Sequence, residues 1–167
     1  GVDFNPAADR LRIVSDSGQN LRHNVNAGGV TIADGILSYT APATDTALGI
    51  AGAAYTNNDL DATTATTLFD IDTALDQVVI QSPANNGTLA ATGKLGVDTT
   101  NVVGFDIYST LRNNVTIKVE AFAVLTSAST GAAQLYSIDL LTGQASRRGS
   151  FRSQNQVIDI ALPLDQN

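Results

Sequence analysis

The sequence has no cysteine, methionine or tryptophan, one glutamate (Glu120), two lysines (Lys94 and Lys118) and one histidine (His23) in 167 residues. Without cysteine there is no disulfide, no thiol nucleophile and no thiolate-bound zinc or iron, and a lone histidine rules out a two-histidine metal site within one chain. His23, flanked by Arg22 and Asn24, reads as a structural, hydrogen-bonded side chain. The scarcity of Glu and Lys leaves no segment with the composition of a long surface helix. A formal net charge of −7 opposes binding to a phosphate backbone, which needs clustered cations. The densest basic group, Arg147, Arg148 and Arg152, reads as a solvated turn and strand edge. No apolar run approaches the ~20 residues that a helix needs to span a bilayer, so no transmembrane segment is expected. Neither a G-x-S-x-G elbow nor a glycine-rich phosphate cradle is present.

What is there is an apolar set of Ala, Val, Ile and Leu, ample for a core at 43% hydrophobic, set among Thr, Asn, Asp, Ser and Gly. That mixture favours short strands and tight turns, and the fold class expected is all-β. A short phrase recurs about every 52 residues: Val2-Asp3-Phe4, Ala53-Ala54-Tyr55, Phe105-Asp106-Ile107 and Ile158-Asp159-Ile160, whose central positions step by 51, 52 and 53. Recurrence at a fixed period marks a repeat architecture.

Strand and turn signals fall in the same order within each period. The first set opens on Gly1-Val2-Asp3-Phe4-Asn5-Pro6, a short strand closed by an Asn-Pro turn; Arg10 to Ser15 alternates polar and apolar as a half-buried strand does, Asp16-Ser17-Gly18-Gln19 turns, and strands follow at Asn20–Val25 and 30–33. The second set comprises Ile50–Thr56, Thr67–Ile71, Gln77–Gln81 and Leu89–Lys94. The third comprises Val102–Tyr108, Thr116–Leu125, Gln134–Asp139 and Gln144–Phe151, and a further strand is expected at Val157–Leu164. The chain therefore reads as one domain over 1–167, with repeats at about 1–46, 47–100 and 101–152 and an extra strand at 157–164. Four-stranded repeats of this length point to a β-propeller-like fold, with a β-sandwich or solenoid as the alternative.

The opening segment, from Gly1-Val2-Asp3-Phe4-Asn5-Pro6 through Ser17-Gly18-Gln19-Asn20-Leu21-Arg22, resembles the first motif of a bacterial family, domain of unknown function 4394. Ala53-Ala54-Tyr55-Thr56-Asn57-Asn58 and Thr66-Thr67-Leu68-Phe69-Asp70-Ile71-Asp72 resemble its next recurring phrases. The resemblance implies a secreted or surface-exported propeller-type protein with no established activity. It also implies upstream blades that this chain lacks, so self-association or a companion chain completing the sheet ring is expected. The absence of an initial Met agrees with a removed leader or upstream segment.

Candidate chemistry centres on the acidic positions of the recurring phrase. In a propeller the innermost strands line a channel, where Asp3, Asp106 and Asp159, with Asn5 and Asn57, would offer the oxygen ligands that Ca²⁺ takes. Solvated or turn-bonded carboxylates are the competing reading, since Ala54 interrupts the series. Asn57-Asn58-Asp59-Leu60-Asp61 lacks the Gly and Glu of an EF-hand loop and reads as turn-forming. Asn86-Gly87-Thr88 and Asn114-Val115-Thr116 match the glycosylation pattern. With no catalytic set, the expected function is a non-enzymatic extracellular or surface module for protein interaction, adhesion or assembly. The alternative is a calcium-dependent lactonase-type hydrolase with its site in the channel.

Overall fold

Short runs of β-branched and aromatic residues, punctuated by Asx and glycine turns, build three sheets in the computed structural model, which describes residues 1–39, 45–57, 63–113, 115–152 and 154–163. The first sheet is a meander of β1 (Val2–Asn5), β2 (Arg10–Val14), β3 (Asn20–His23) and β4 (Thr31–Ala33). The second contains β5 (Ser38–Tyr39), β6 (Ile50–Tyr55), β7 (Leu68–Asp72), β8 (Gln77–Gln81) and β9 (Thr88–Lys94), in the order β5-β9-β8-β7-β6. The third is a meander of β10 (Thr99–Arg112), β11 (Val115–Ser127), β12 (Ala133–Ile138) and β13 (Ala145–Ser150). All pairings are antiparallel except β5 with β9, where Ser38 and Tyr39 run parallel to Thr88 and Leu89. This two-residue strand is not among the expected ones, and residues 40–44, which follow it, lie outside the described residues.

Asx side chains set several of the turns. Asn5 Oδ1 accepts the N–H groups of Ala7 and Ala8, both at 3.0 Å, between β1 and β2. Asp72 Oδ1 accepts those of Ala74 and Leu75 between β7 and β8, and Asp139 Oδ1 those of Leu141 and Thr142 between β12 and β13. Each bond satisfies turn N–H groups that the ladder leaves open.

The sheets stack in series, with β6 against β1 on one side and β10 on the other. Val14, Leu37, Ile50, Ala53, Tyr55, Leu68 and Val79 pack between the first and second sheets. Ala54, Phe69, Ile71 and Val78 pack against Phe105, Ile107 and Ala123 of the third. Covered on both faces, β7 is buried at all five positions, which is why its sequence does not alternate.

The polar-apolar alternation of β2 is realised with the polar parity inward. Arg12 and Val14 are 2% and 3% exposed, whereas Leu11 and Ile13 are half-buried on the opposite face. Register places Val2 beside Ile13, Phe4 beside Leu11 and Ile13 beside Leu21 on that outer face. Val2 is 49% exposed and Phe4 39%.

Two expectations are corrected. The sheets form an open, sandwich-like stack and do not close into a propeller ring, because ring closure needs the first and last sheets to meet, and here the outer face of the first remains uncovered. Residues 157–163 form no strand, although they lie against β10 at Gly104 and Asp106; Leu164 is outside the described residues. An extended segment with no sheet of its own has no ladder to join.

Candidate functional site

Asp3 and Asp106 occupy matching places on β1 and β10, and each acts as a clamp. Asp3 Oδ1 accepts the N–H of Phe4 at 2.7 Å while Oδ2 accepts that of Tyr55, on β6, at 2.5 Å. Asp106 Oδ1 accepts the N–H of Ile107 at 2.7 Å and Oδ2 that of Leu162 at 2.6 Å. Burial pushes the Asp3 carboxyl up to about 6, against the opposing pull of its two N–H donors. Burial likewise raises Asp106.

Glycine makes these approaches close enough. Gly1, Gly52 and Gly104 each stand two residues before the centre of the recurring phrase. A Cβ on Gly1 would lie 2.6 Å from Ala53 N, on Gly52 2.8 Å from Phe105 Cβ, and on Gly104 2.5 Å from Ile160 N. These glycines were missed in the sequence, although their fixed offset from Asp3, Ala54 and Asp106 was a usable signal.

The contacts also set the register of the last segment. Ile160 and Leu162 meet Gly104 and Asp106 as Ala53 and Tyr55 meet Gly1 and Asp3. The residue matching Ala54 is then Ala161, and Asp159 falls where Gly52 stands. The recurring phrase at Ile158-Asp159-Ile160 is thus two residues out of spatial register. Asp159 is exposed, and its Oδ1 accepts the N–H of Ile160 at 2.8 Å. It lines a pocket of about 230 Å³ with Gly1, Val14, Gly52, Val103 and Phe105.

Of the five residues suggested as calcium ligands, Asp3 and Asp106 have both oxygens committed to backbone N–H groups. Asn5 caps a turn, and Asn57 donates from Nδ2 to Ala65 O at 2.6 Å. Asn57 instead lines a groove of about 620 Å³ between the second and third sheets, with Thr56, Phe69, Ser137 and Leu140. Among the described residues no three His, Cys, Asp or Glu side chains are grouped to hold a metal ion. The Asn57 to Asp61 run lies mostly outside the described residues, as does Asn114. His23 Nδ1 pairs with Thr31 Oγ1 at 2.9 Å.

A second polar constellation fills the layer between the first and second sheets. Arg12 donates from Nη1 to Asn20 Oδ1 and Asp34 Oδ2, from Nη2 to Asn85 Oδ1, each at 2.7 Å, and from Nε to Tyr55 Oη at 3.3 Å. Arg22 grips the same Asp34 through Nε at 2.6 Å and Nη2 at 2.9 Å. Burial opposes ionisation of Asp34, but the two guanidinium groups outweigh it and hold its carboxyl below the usual range. Nearby on β7, Asp70 is fully buried with neither oxygen hydrogen-bonded among the described residues, and burial pushes it up to about 8 despite the charges of the Gly1 amino group and Arg12. Tyr39 Oη donates to Asp72, and burial followed by this carboxylate raises the phenol's pKa.

The glycine spacing, the carboxylate clamps and the sheet order describe one pattern running through almost the whole chain. A family model, Domain of unknown function (DUF4394), matches residues 1–161. The chain belongs to the DUF4394 family. No curated protein and no solved structure matches it. Within this DUF4394 chain, the resemblance in the opening segment corresponds to β1, β2 and β3 with their turns, and the phrase around Phe69 to the doubly covered β7.

Proposed function

We propose that this chain is a non-enzymatic β-repeat module, which associates with further sheets of its own kind in a second copy or a companion chain. The observation that carries this reading is the outer face of the first sheet. Val2, Phe4, Leu11, Ile13 and Leu21 form an apolar surface there that none of the described residues covers, while the opposite face of the same strands buries Arg12, Val14 and Asn20. Apolar surface of this kind is a common mark of a protein contact. The clamps support the same reading, for Asp3 ties β1 to β6 of the next sheet and Asp106 ties β10 to the segment at Leu162, an arrangement that would extend to a further sheet without new chemistry. A setting outside the bacterial cell is proposed with it, on the family resemblance.

Light scattering across a concentration series tests the reading. Self-association is expected for the wild type, and the double variant Phe4→Glu, Ile13→Lys is expected to remain monomeric at concentrations where the wild type associates. A wild type that stays monomeric throughout and captures no companion chain would overturn it. Calcium retained stoichiometrically after desalting would favour the calcium-dependent hydrolase instead.

A further inference from the structure

Between the first and second sheets lies a pocket of about 100 Å³, lined by Asn5, Arg10, Arg12, Arg22, Tyr55 and Asn85 together with Ala8. Three of these side chains are cationic and none is anionic, in a chain whose formal net charge is −7. Counter-charge is short here. Asp34 is shared between Arg12 and Arg22, and among the described residues Arg10 has only Asp9, 4.0 Å away at an exposed rim.

Donors are also left over. Arg12 carries five N–H groups, of which the four bonds above use four, leaving one on Nη2. Arg22 uses Nε and Nη2 on Asp34, and among the described residues Nη1 has no acceptor. Arg10 spends Nη1 on the carbonyls of Ala8 and Asp9, and Nη2 has no acceptor among the described residues. Tyr55 Oη accepts from Arg12, and its own proton meets no acceptor among the described residues although the side chain is 2% exposed. Arg10 and Arg22 stand at the rim, their side chains 37% and 29% exposed, and Arg12 and Tyr55 line the buried side, so the pocket presents positive charge and spare N–H and O–H donors to an acceptor arriving from solvent.

We propose that this pocket is an anion site, which takes a single small oxyanion head group, carboxylate or phosphate, on Arg10, Arg12, Arg22 and the Tyr55 hydroxyl. Guanidinium forks suit both anions because they present paired N–H groups. Arg12 is held rigid by its four existing bonds, so binding orders little that is not already ordered. This site is independent of the apolar face on the other side of β1 and β2, and it stands whether or not the chain self-associates.

The test is thermal unfolding of the wild type at constant ionic strength, with chloride replaced stepwise by acetate in one series and by inorganic phosphate in another. A saturable rise in Tm is expected in at least one, acetate identifying a carboxylate site and phosphate a tetrahedral one. Arg10→Gln and Tyr55→Phe are each expected to weaken the midpoint by about tenfold, the loss of one charge-assisted hydrogen bond. Arg147→Gln, remote from the pocket, is expected to leave it unchanged. The proposal is overturned if neither anion acts beyond chloride, or if Arg10→Gln and Tyr55→Phe both bind as the wild type does.

Discussion

Arg12 and Asp70 carry opposite lessons about burial. Arg12 lies in a low-dielectric layer with four of its five N–H groups bonded, so its removal would take the donor from Asn85 Oδ1 and Tyr55 Oη and leave Asp34 to Arg22 and Asn20 Oδ1 to Gln81. Arg12→Ala is therefore expected to destabilise the fold by about 1–3 kcal/mol, measured by urea unfolding, the range for leaving a buried hydrogen-bond partner unsatisfied, while Arg22 still compensates the Asp34 charge. Asp70 is the reverse case, a carboxyl buried with no donor among the described residues. Its pKa in the folded chain, about 8, lies above the ordinary 3.8, so the folded state binds the proton more tightly than the unfolded state does. Its contribution is fully present below about pH 4 and is lost as pH rises through 8. Asp3, raised to about 6, adds to the same loss over the lower part of that window. Asp70→Asn is expected to flatten the decline in Tm between pH 5 and about 9; an unchanged decline would assign it to other groups.

Among the elements, β6 has the most exacting position, because it meets β1 and β10 at once. Gly52 and Gly104 show how strand packing constrains single residues. The Cβ of an alanine at 104 would meet the backbone of Asp159 and Ile160, which cannot rotate away. Gly104→Ala is expected to release residues 157–163 from β10, visible as faster amide exchange at Leu162, with little change in the rest of the fold. Gly52→Ala acts between two sheets and is expected to lower global stability by about 1–3 kcal/mol in chemical unfolding, as overpacking does. Strand positions were legible beforehand: all twelve strands of the three expected sets appear, since alternation and Asx-Gly turns are local signals. The two-residue β5 was not legible, because it exists only through its pairing with β9. The last segment misled for the opposite reason, having the composition of a strand but no ladder partner.

At the scale of the whole molecule, three sheets in series leave two ends of different character. The third sheet carries residues 157–163 against its outer side, while the first exposes Val2 and Phe4. Self-association through that first face is the expectation tested by Phe4→Glu, Ile13→Lys, and its failure would leave the anion pocket untouched, since the pocket lies on the opposite face of the same strands.

Composition and periodicity were enough to establish an all-β chain, the order of its strands and the recurrence of acidic residues on the inner ones, because these depend on side chains a few positions apart. They could not tell which face of β2 would be buried, since an alternating strand satisfies either choice and only the sheet stacked upon it breaks the tie. The same holds for the clamps. Asp3 and Asp106 were visible as a repeated pair, but whether they turn toward a shared ion or toward the backbone of the next strand depends on contacts 52 and 56 residues away, which come into being only when the sheets pack.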